Sequence, residues 1–458
     1  LSFQIRDPVH NFIELREKER ELVNTFAFQR LRGIRQLAMA YLVYPGALHT
    51  RFEHSLGVKH VAGLMAENLE LGDDDKETIR YAALLHDIGH GPFSHVSEDI
   101  LERYADRSSL RPDQKKEKIH EIITIGIIQN DSQINAILGQ ITCDKIASLL
   151  SEWRGEPVLR SLVSGPLDAD KQDYLLRDSL FCGVKYGIFD LHQLHRSLKA
   201  YGLENNRDLM IKEDGIHALE QFVLAKYYLT TNVYQHKVRL ITDQMIIRAI
   251  VLGIEKDNND RIRKLYSFNN TTDYIKEYLM WDDVRFLQIF GLEDNGGKCQ
   301  MLLKRLVLRN LLKRIFTAKP TDFVPEIREL LMKLTEIESK YIRSRIESEI
   351  AAQVAKVIKT DIDADFVIFN AFNIDSVKEM SKNNESSILV AKYPVPVPFE
   401  NTSNLFASIN EAFKEAFVDI YAPVNWQRSE REKICERLKE PIKNIIEQVC
   451  RENVGGKK

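Results

Sequence analysis

The sequence predicts a mainly α-helical protein with small β-hairpins and a smaller α+β region towards its C-terminal end. Three observations carry that prediction. Apolar residues recur at helical spacing from about Glu17 to about residue 360. Proline and glycine cluster at the ends of those runs, as in Pro45-Gly46, Gly89-His90-Gly91-Pro92, Gly165-Pro166 and Lys319-Pro320. Beyond 360 the pattern shifts to short β-branched and aromatic runs, Asp365-Phe366-Val367-Ile368-Phe369 and Ser387-Ile388-Leu389-Val390-Ala391. With 458 residues, 44% of them hydrophobic, the chain can bury a large core, and the change of pattern sets the expected division at 1–360 and 361–458.

Taken in order, residues 3–15 read as a hairpin, with Phe3, Ile5, Val9, Phe12, Ile13 and Leu15 around the turn signal Asp7-Pro8. Leu22, Phe26, Leu31, Ile34 and Leu37 then recur helically. A second helix runs from Glu53 to Leu71 and a third from Thr78 to His86. The glycines and proline of 89–92 force a bend, after which Ser94 can cap a helix over 95–104. The charged stretch 107–118 reads as a solvated loop. Helices resume at 119–129, 133–139 and 142–151, and again after the turn Ser164-Gly165-Pro166. Residues 198–212 read as a hairpin about Gly202–Arg207. Gly215 to Ile254 lacks proline and reads as one long helix, with a kink expected near Thr230-Thr231-Asn232. Helices continue to 360. Pro394, Pro396 and Pro398 then mark an extended edge segment, and helices are expected at 403–417 and 428–449.

Bulk composition narrows the function. A formal charge of −3 gives no global basic bias towards nucleic acid. Five scattered cysteines without CxxC spacing fit buried thiols in a reducing compartment rather than a disulfide framework. No apolar run approaches the roughly 18 residues of a membrane span, and the first residues do not read as a signal peptide. A cytoplasmic setting is therefore expected.

The chemistry concentrates in Leu84-Leu85-His86-Asp87-Ile88-Gly89-His90-Gly91-Pro92-Phe93-Ser94-His95. Adjacent helical residues point about 100° apart, so His86-Asp87 needs partners to close a metal site. Arg51-Phe52-Glu53-His54-Ser55 offers a histidine at a helix start, and Asp168 and Asp170 offer carboxylates before another helix. Two imidazoles and two carboxylates suit Mn, Fe, Zn or Mg and leave positions open for water and a phosphate oxygen. A single buried histidine is usually a hydrogen-bonded core residue, and His-Asp pairs arise by chance. The ordered set is more specific than any one member.

The order His54, His86-Asp87, Asp170 resembles the HD superfamily of metal-dependent phosphohydrolases. Further motifs resemble its dNTP triphosphohydrolase branch: Asp7-Pro8-Val9-His10, Phe28-Gln29-Arg30-Leu31-Arg32, Tyr44-Pro45-Gly46-Ala47, Arg51 to Val58, Asp168 to Tyr174, and Tyr234-Gln235-His236-Lys237-Val238. The resemblance is strong over residues 5–250 and weaker beyond. It implies an HD-domain helical core without the SAM domain of vertebrate members. The implied activity is hydrolysis of a dNTP to deoxynucleoside and inorganic triphosphate, with a divalent metal at His54, His86, Asp87 and Asp170 and Mg on the triphosphate. Asp168 competes with Asp170 for the last ligand place, its alternative role being a helix cap.

By the same resemblance His95 is the general acid, Glu98 orients it, and His120 and His90 contact phosphate. Arg51 and Lys171 grip the triphosphate. Tyr174, Asp178, Gln36, Leu37 and Tyr234 surround the deoxyribose, Tyr234 excluding a 2′-hydroxyl. Lys226 stands where an arginine is expected, which keeps the charge and loses the bidentate fork. Gln29 and Arg32 match part of a regulatory nucleotide site, in which Asn24 replaces an aspartate that reads guanine. A homo-oligomer, tetrameric by preference, and a nucleotide activator are also implied. His10, His49, His192, His195, His217 and His236 are read as structural or surface histidines. Two other functions stay open: an HD phosphatase or phosphodiesterase on another nucleotide or on nucleic-acid ends, and a non-catalytic binder of nucleotide or single-stranded nucleic acid.

Overall fold

The computed structural model describes residues 3–151, 157–203, 206–293, 296–336, 339–375, 388–392, 395–406, 414–426 and 428–454. It is mainly helical, 64% of it, with a few small sheets. Sequence reading places one boundary near 360. Packing gathers the chain into two compact units interleaved in sequence, the first of 1–236, 264–286 and 376–412, the second of 237–263, 287–375 and 413–458.

The first unit opens with an antiparallel hairpin, β1 (Phe3–Asp7) on β2 (Asn11–Leu15). Its central element is the helix Arg51–Asn68, which packs on the helices Asp73–Leu85 and Ala169–Cys182. Phe52, Leu56, Val58, Val61, Ala62, Met65 and Ala66 are all buried there, and so are Arg51, His54, Ser55 and Lys59. A helix buried on nearly every face must satisfy its polar side chains internally. That requirement draws carboxylates from distant segments onto it. The hairpin β3 (Leu198–Leu203) with β4 (Asn206–Lys212) lies where the sequence predicts one. It extends through a parallel pairing of β4 with β7 (Leu389–Ala391), and β7 pairs with β8 (Val397–Pro398).

In the second unit, β9 (Lys414–Ala422) lies between β5 (Lys313–Ala318) and β6 (Ile368–Asp375), antiparallel to both. Ile315, Phe369, Val418 and Ile420 pack from this sheet against Ile346, Ile350 and Val354 of the helix Lys340–Ile358 and Leu438, Ile442 and Ile446 of the helix Arg428–Val454.

Several expected elements differ. The stretch 215–254 is two helices, Ile216–Leu229 and Lys237–Glu255, separated by a π-helical turn at Thr230–Tyr234. The break falls at the expected kink and sets the direction of Tyr234. Lys313–Ala318 forms a strand within a region read as helical. The expected helix 403–417 is a strand from Lys414 onward, while 407–413 lies outside the described residues. In both strands long-range pairing outweighs local propensity. Asp365–Phe369 begins as a 3-10 turn, Ala364–Phe366, before β6. Ser387 and Pro394 also lie outside the described residues.

Candidate metal centre and active site

Helix ends deliver the candidate ligands. Thr50 N donates to Glu53 Oε2 at 2.9 Å, a capping box that starts the Arg51–Asn68 helix and sets His54 one turn inside it. The Asp73–Leu85 helix terminates at His86. Asp168 caps the Ala169–Cys182 helix, accepting from Lys171 N at 2.8 Å and Gly165 N at 3.0 Å. Asp168 is thus engaged as the cap, and Asp170 faces the histidines.

His54 Nε2 lies 2.9 Å from Asp170 Oδ1 and 3.6 Å from Asp87 Oδ2. His86 Nε2 lies 3.2 Å from Asp87 Oδ1 and 3.8 Å from Asp170 Oδ1. Atoms of His54, His86 and Asp170 all fall within 4.8 Å of one another, a spacing that can hold a metal ion. The donor set fits such an ion on two further grounds. His86 Nδ1 sits 2.8 Å from Ala83 O, which can only accept, so Nδ1 carries the proton. In its neutral form the ring turns its Nε2 lone pair into the site, where that buried atom has no hydrogen-bond partner among the described residues. His54 Nδ1 donates to Asp173 Oδ2 at 2.8 Å, the carboxylate–histidine arrangement that orients metal-binding imidazoles.

The electrostatics favour a cation. Burial opposes charge on His54, but its bonds to Asp170 and Asp173 outweigh burial and lift its pKa to about 10. Burial likewise opposes ionisation of Asp170, and His54 and His86 overcome it, holding the carboxyl far below its usual range. Asp87 is held low by Arg51, then His86 and His90, again against burial. Arg51 pairs with Asp87 Oδ2, donates to Ser94 Oγ at 2.8 Å and reaches to 3.4 Å from His95 Nε2.

The bend after His86 carries a second cluster. Phe93 and Ser94 both have positive φ, 64° and 54°, immediately before the helix His95–Tyr104. Glu98 sits among three imidazoles: His95 Nδ1 at 2.7 Å, His90 Nδ1 at 3.2 Å and His120 Nδ1 at 3.6 Å. The His90 and His120 rings stack at 4.6 Å. Burial, then Arg51, pushes His90 down to about 4, and burial, then His90, pushes His120 well below its ordinary value. Burial opposes ionisation of Glu98, yet His95, His120 and His90 keep it well below the carboxylate range. Burial thus disfavours charge on the two stacked imidazoles, while Glu98 is favoured in its ionised form by His95, its nearest partner. The His95 side chain is 62% exposed.

A third group gathers at Asp178. It accepts from His49 Nε2 at 2.8 Å and from Tyr234 Oη at 2.6 Å. The Tyr174 and Tyr234 rings stand 6.2 Å apart. Gln36 N donates to His49 O at 3.1 Å, and Gln36 Oε1 is buried without a partner among the described residues. Leu37 is buried next to Gln36, and Lys226 is buried on the Ile216–Leu229 helix. Lys171 Nζ donates to Asp168 Oδ2 at 2.6 Å and Gly165 O at 3.0 Å. Gln29 and Arg32 form a separate pair, Arg32 Nε donating to Gln29 Oε1 at 2.9 Å while Arg32 stacks on Phe52. Asn24 caps the Glu17–Val23 helix.

Sequence reasoning missed Asp173, which accepts from His54, His10 and Arg177, and Asp7, which pairs with Arg177 at 2.9 Å. It also missed His49 as the partner of Asp178. The three-residue spacing of Asp170 and Asp173 on one helix was a signal for the first; nothing local marks the others.

An HD domain matches residues 51–179 and an HD associated region matches 189–442. Uncharacterized protein MJ1154 of Methanocaldococcus jannaschii is 33% identical over 345 residues, 75% of this chain and 66% of that protein. Deoxynucleoside triphosphate triphosphohydrolase SAMHD1 of Homo sapiens is 27% identical over 453 residues, 91% of this chain and 70% of that protein. The chain thus spans about two thirds of the length of these relatives. A crystal structure of a hypothetical protein from Aquifex aeolicus superposes with a TM-score of 0.69 at 26% identity, covering 96% of this chain and 100% of that one. With both regions matched in order and the His-Asp cluster inside the first, the chain belongs to the HD-domain hydrolases that carry an HD-associated region.

Proposed function

We propose that the chain hydrolyses deoxynucleoside triphosphates to deoxynucleoside and inorganic triphosphate. The observation that carries this is the gathering of His54, His86, Asp87 and Asp170 from three helices, with the His95–Glu98 pair brought alongside by the bend that follows His86-Asp87. A divalent ion held by the four ligands would polarise a phosphoryl oxygen and lower the pKa of water for attack at the α-phosphorus. The chain's own residues do the rest. The P–O5′ bond breaks, and His95 gives its proton to the departing 5′ oxygen. Glu98, ionised at neutral pH, accepts from Nδ1 and leaves Nε2 aimed at the substrate. Arg51, fixed by Asp87 and Ser94, presents its remaining N–H to the triphosphate. His90 and His120 contact phosphate as neutral imidazoles, and Lys226 adds charge. Lys171 joins the triphosphate by turning from Asp168.

The Asp178 group supports the deoxynucleoside half of the reading. Asp178 would accept from the 3′-hydroxyl, and Tyr234 would close on the sugar beside Tyr174, Gln36 and Leu37, leaving no room for a 2′-hydroxyl. The activity for which SAMHD1 of Homo sapiens is named, deoxynucleoside triphosphate triphosphohydrolase, agrees with it. On this reading the protein is a cytoplasmic homo-oligomer, with Asn24, Gln29 and Arg32 offering a nucleotide-activator surface.

The test is hydrolysis of each dNTP alone and in pairs with Mn, Mg, Fe or Co, products separated. Triphosphate and deoxynucleoside are expected. Monophosphate with pyrophosphate would transfer the chain to the phosphodiesterase reading, and nucleotide binding without any hydrolysis to the non-catalytic one. Replacing His86 and Asp87 by alanine should remove both metal and activity.

A further inference from the structure

The bend that carries His90 and His95 is held from outside by a segment some 190 residues further along. Phe93 N donates to Asp283 Oδ1 at 2.7 Å, and Arg35 N donates to Asp283 Oδ2 at 3.0 Å. Tyr278 Oη donates to Gly89 O at 3.1 Å. Arg30 spans the two segments, giving Nε to Trp281 O at 2.8 Å and Nη2 to His90 O at 2.9 Å. The Phe93 ring meets Phe286 edge-on at 5.3 Å. A Cβ on Gly91 would come within 2.5 Å of Tyr278 Oη, so the segment lies tight against the bend.

Two of these contacts fall on Phe93, one of the strained residues. Phe93 and Ser94, both at positive φ without being glycine, persist in that state where surroundings over-determine them. Asp283 binds the amide of the first. Ser94 donates to Arg35 O at 2.7 Å and accepts from Arg51 Nε at 2.8 Å. The chain of contacts therefore runs from Asp283 through Phe93 and Arg35 to Ser94, Arg51 and His95.

We propose that Asp283, assisted by Arg30 and Tyr278, is a positioning residue that fixes the strained bend and so holds Arg51 and His95 in register with the metal-ligand cluster. It acts through the backbone and touches no substrate. The proposal rests on the hydrolase reading of this site for its kinetic readout, and a second readout is independent of substrate.

Asp283→Asn keeps shape but turns an NH2 towards one of two backbone N–H donors. In metal-loaded full-length protein, its kcat on a dNTP mixture should fall about 10- to 100-fold, the scale of an ångström-sized misplacement, while KM stays within about threefold. Bound metal, measured by mass spectrometry, should be unchanged. Tyr278→Phe keeps the buried ring, loses the Gly89 bond, and should show the same split at smaller size. Asp257→Asn is the matched control: Asp257 also accepts two backbone amides, Lys298 N at 2.9 Å and Cys299 N at 2.8 Å, far from these residues in sequence. It should leave kcat within about twofold of the wild type. Histidine-selective NMR supplies the second readout, with His95 and His90 ring signals expected to shift or broaden in Asp283→Asn. A kcat within twofold of wild type with unmoved His95 signals would overturn the proposal, as would a loss fully accounted for by missing metal or unfolded protein. If wild type hydrolyses no dNTP, the functional reading falls, and the ring signals still decide the positioning role.

Discussion

Asp173→Asn is the perturbation with the largest consequence for the proposed metal centre. Its fully buried carboxylate accepts four hydrogen bonds: His10 Nε2 at 2.7 Å, His54 Nδ1 at 2.8 Å, and Arg177 Nε at 2.8 Å and Nη2 at 3.0 Å. Burial alone would push the carboxyl pKa up, but Arg177, then His10 and His54, hold it well below the usual range. An asparagine oxygen accepts two bonds, and its NH2 meets the other donors head-on. Two buried donors left unpaired cost about 1–3 kcal/mol each, and removing one partner of a buried ion pair costs about 3–5 kcal/mol. A loss of about 4 kcal/mol satisfies both. His54 also loses the acceptor that fixes its ring, which should weaken metal binding by about 10- to 100-fold.

Urea unfolding with chelator present measures the first effect, and competition against a fluorescent chelator measures the second. Asp7→Asn separates them. It removes an acceptor from Arg177 at 2.9 Å and loosens the β1–β2 turn, where Asp7 Oδ1 accepts from Val9 N and His10 N, but leaves His54 untouched. It should destabilise without changing metal affinity. A stability loss below about 1 kcal/mol in Asp173→Asn with metal affinity within twofold of wild type would refute the assigned role of Asp173.

Three more outcomes follow from the same packing. Gly57→Ala should destabilise despite the helix preference for alanine of about 1 kcal/mol, because a Cβ there overlaps Asp173 Oδ1; chemical denaturation checks it. Lys59, buried and sharing Glu19 with Arg80, has its pKa pushed down to about 8 by burial, with Glu19 raising it only in part. Between about pH 8 and 10.5 the unfolded chain holds a proton there that the folded chain has released, so stability should rise with pH by up to about 3 kcal/mol. That slope should vanish in Lys59→Met unfolding curves. Leu438→Ala, in the core of the second unit, should cost about 2–5 kcal/mol in urea and leave metal affinity at the His54 cluster unchanged.

The fold class was legible because the first 250 residues alternate strong helical periodicity with proline and glycine stops. Nothing in the composition of Lys313–Ala318 or Lys414–Ala422 marks them as strands against their helical surroundings. Each becomes one by pairing with residues about a hundred positions away, as Phe316 does with Ile420. Within the site the same division holds. His54, His86, Asp87 and Asp170 could be proposed together because a metal needs a stereotyped donor set and helix ends advertise where it can sit. Asp170 could be preferred over Asp168 on the motif, and the Asp168 cap shows the physical reason: one carboxylate holds the helix start so that the next can face the histidines.

The residues that orient those ligands carry no such signal, since what they do depends on what lies opposite. Asp173 reaches His10 across 163 positions and Asp283 reaches Phe93 across 190. His49 has the same chemistry as any buried histidine until Asp178 is found 2.8 Å away. A central helix buried on nearly all faces makes such partners obligatory without saying which segment supplies them. If that reasoning holds, the supporting partners should be as costly to remove as the ligands themselves. Asp173→Asn and Asp283→Asn should damage the site by two separable routes, the first through metal affinity and the second through kcat at full metal occupancy.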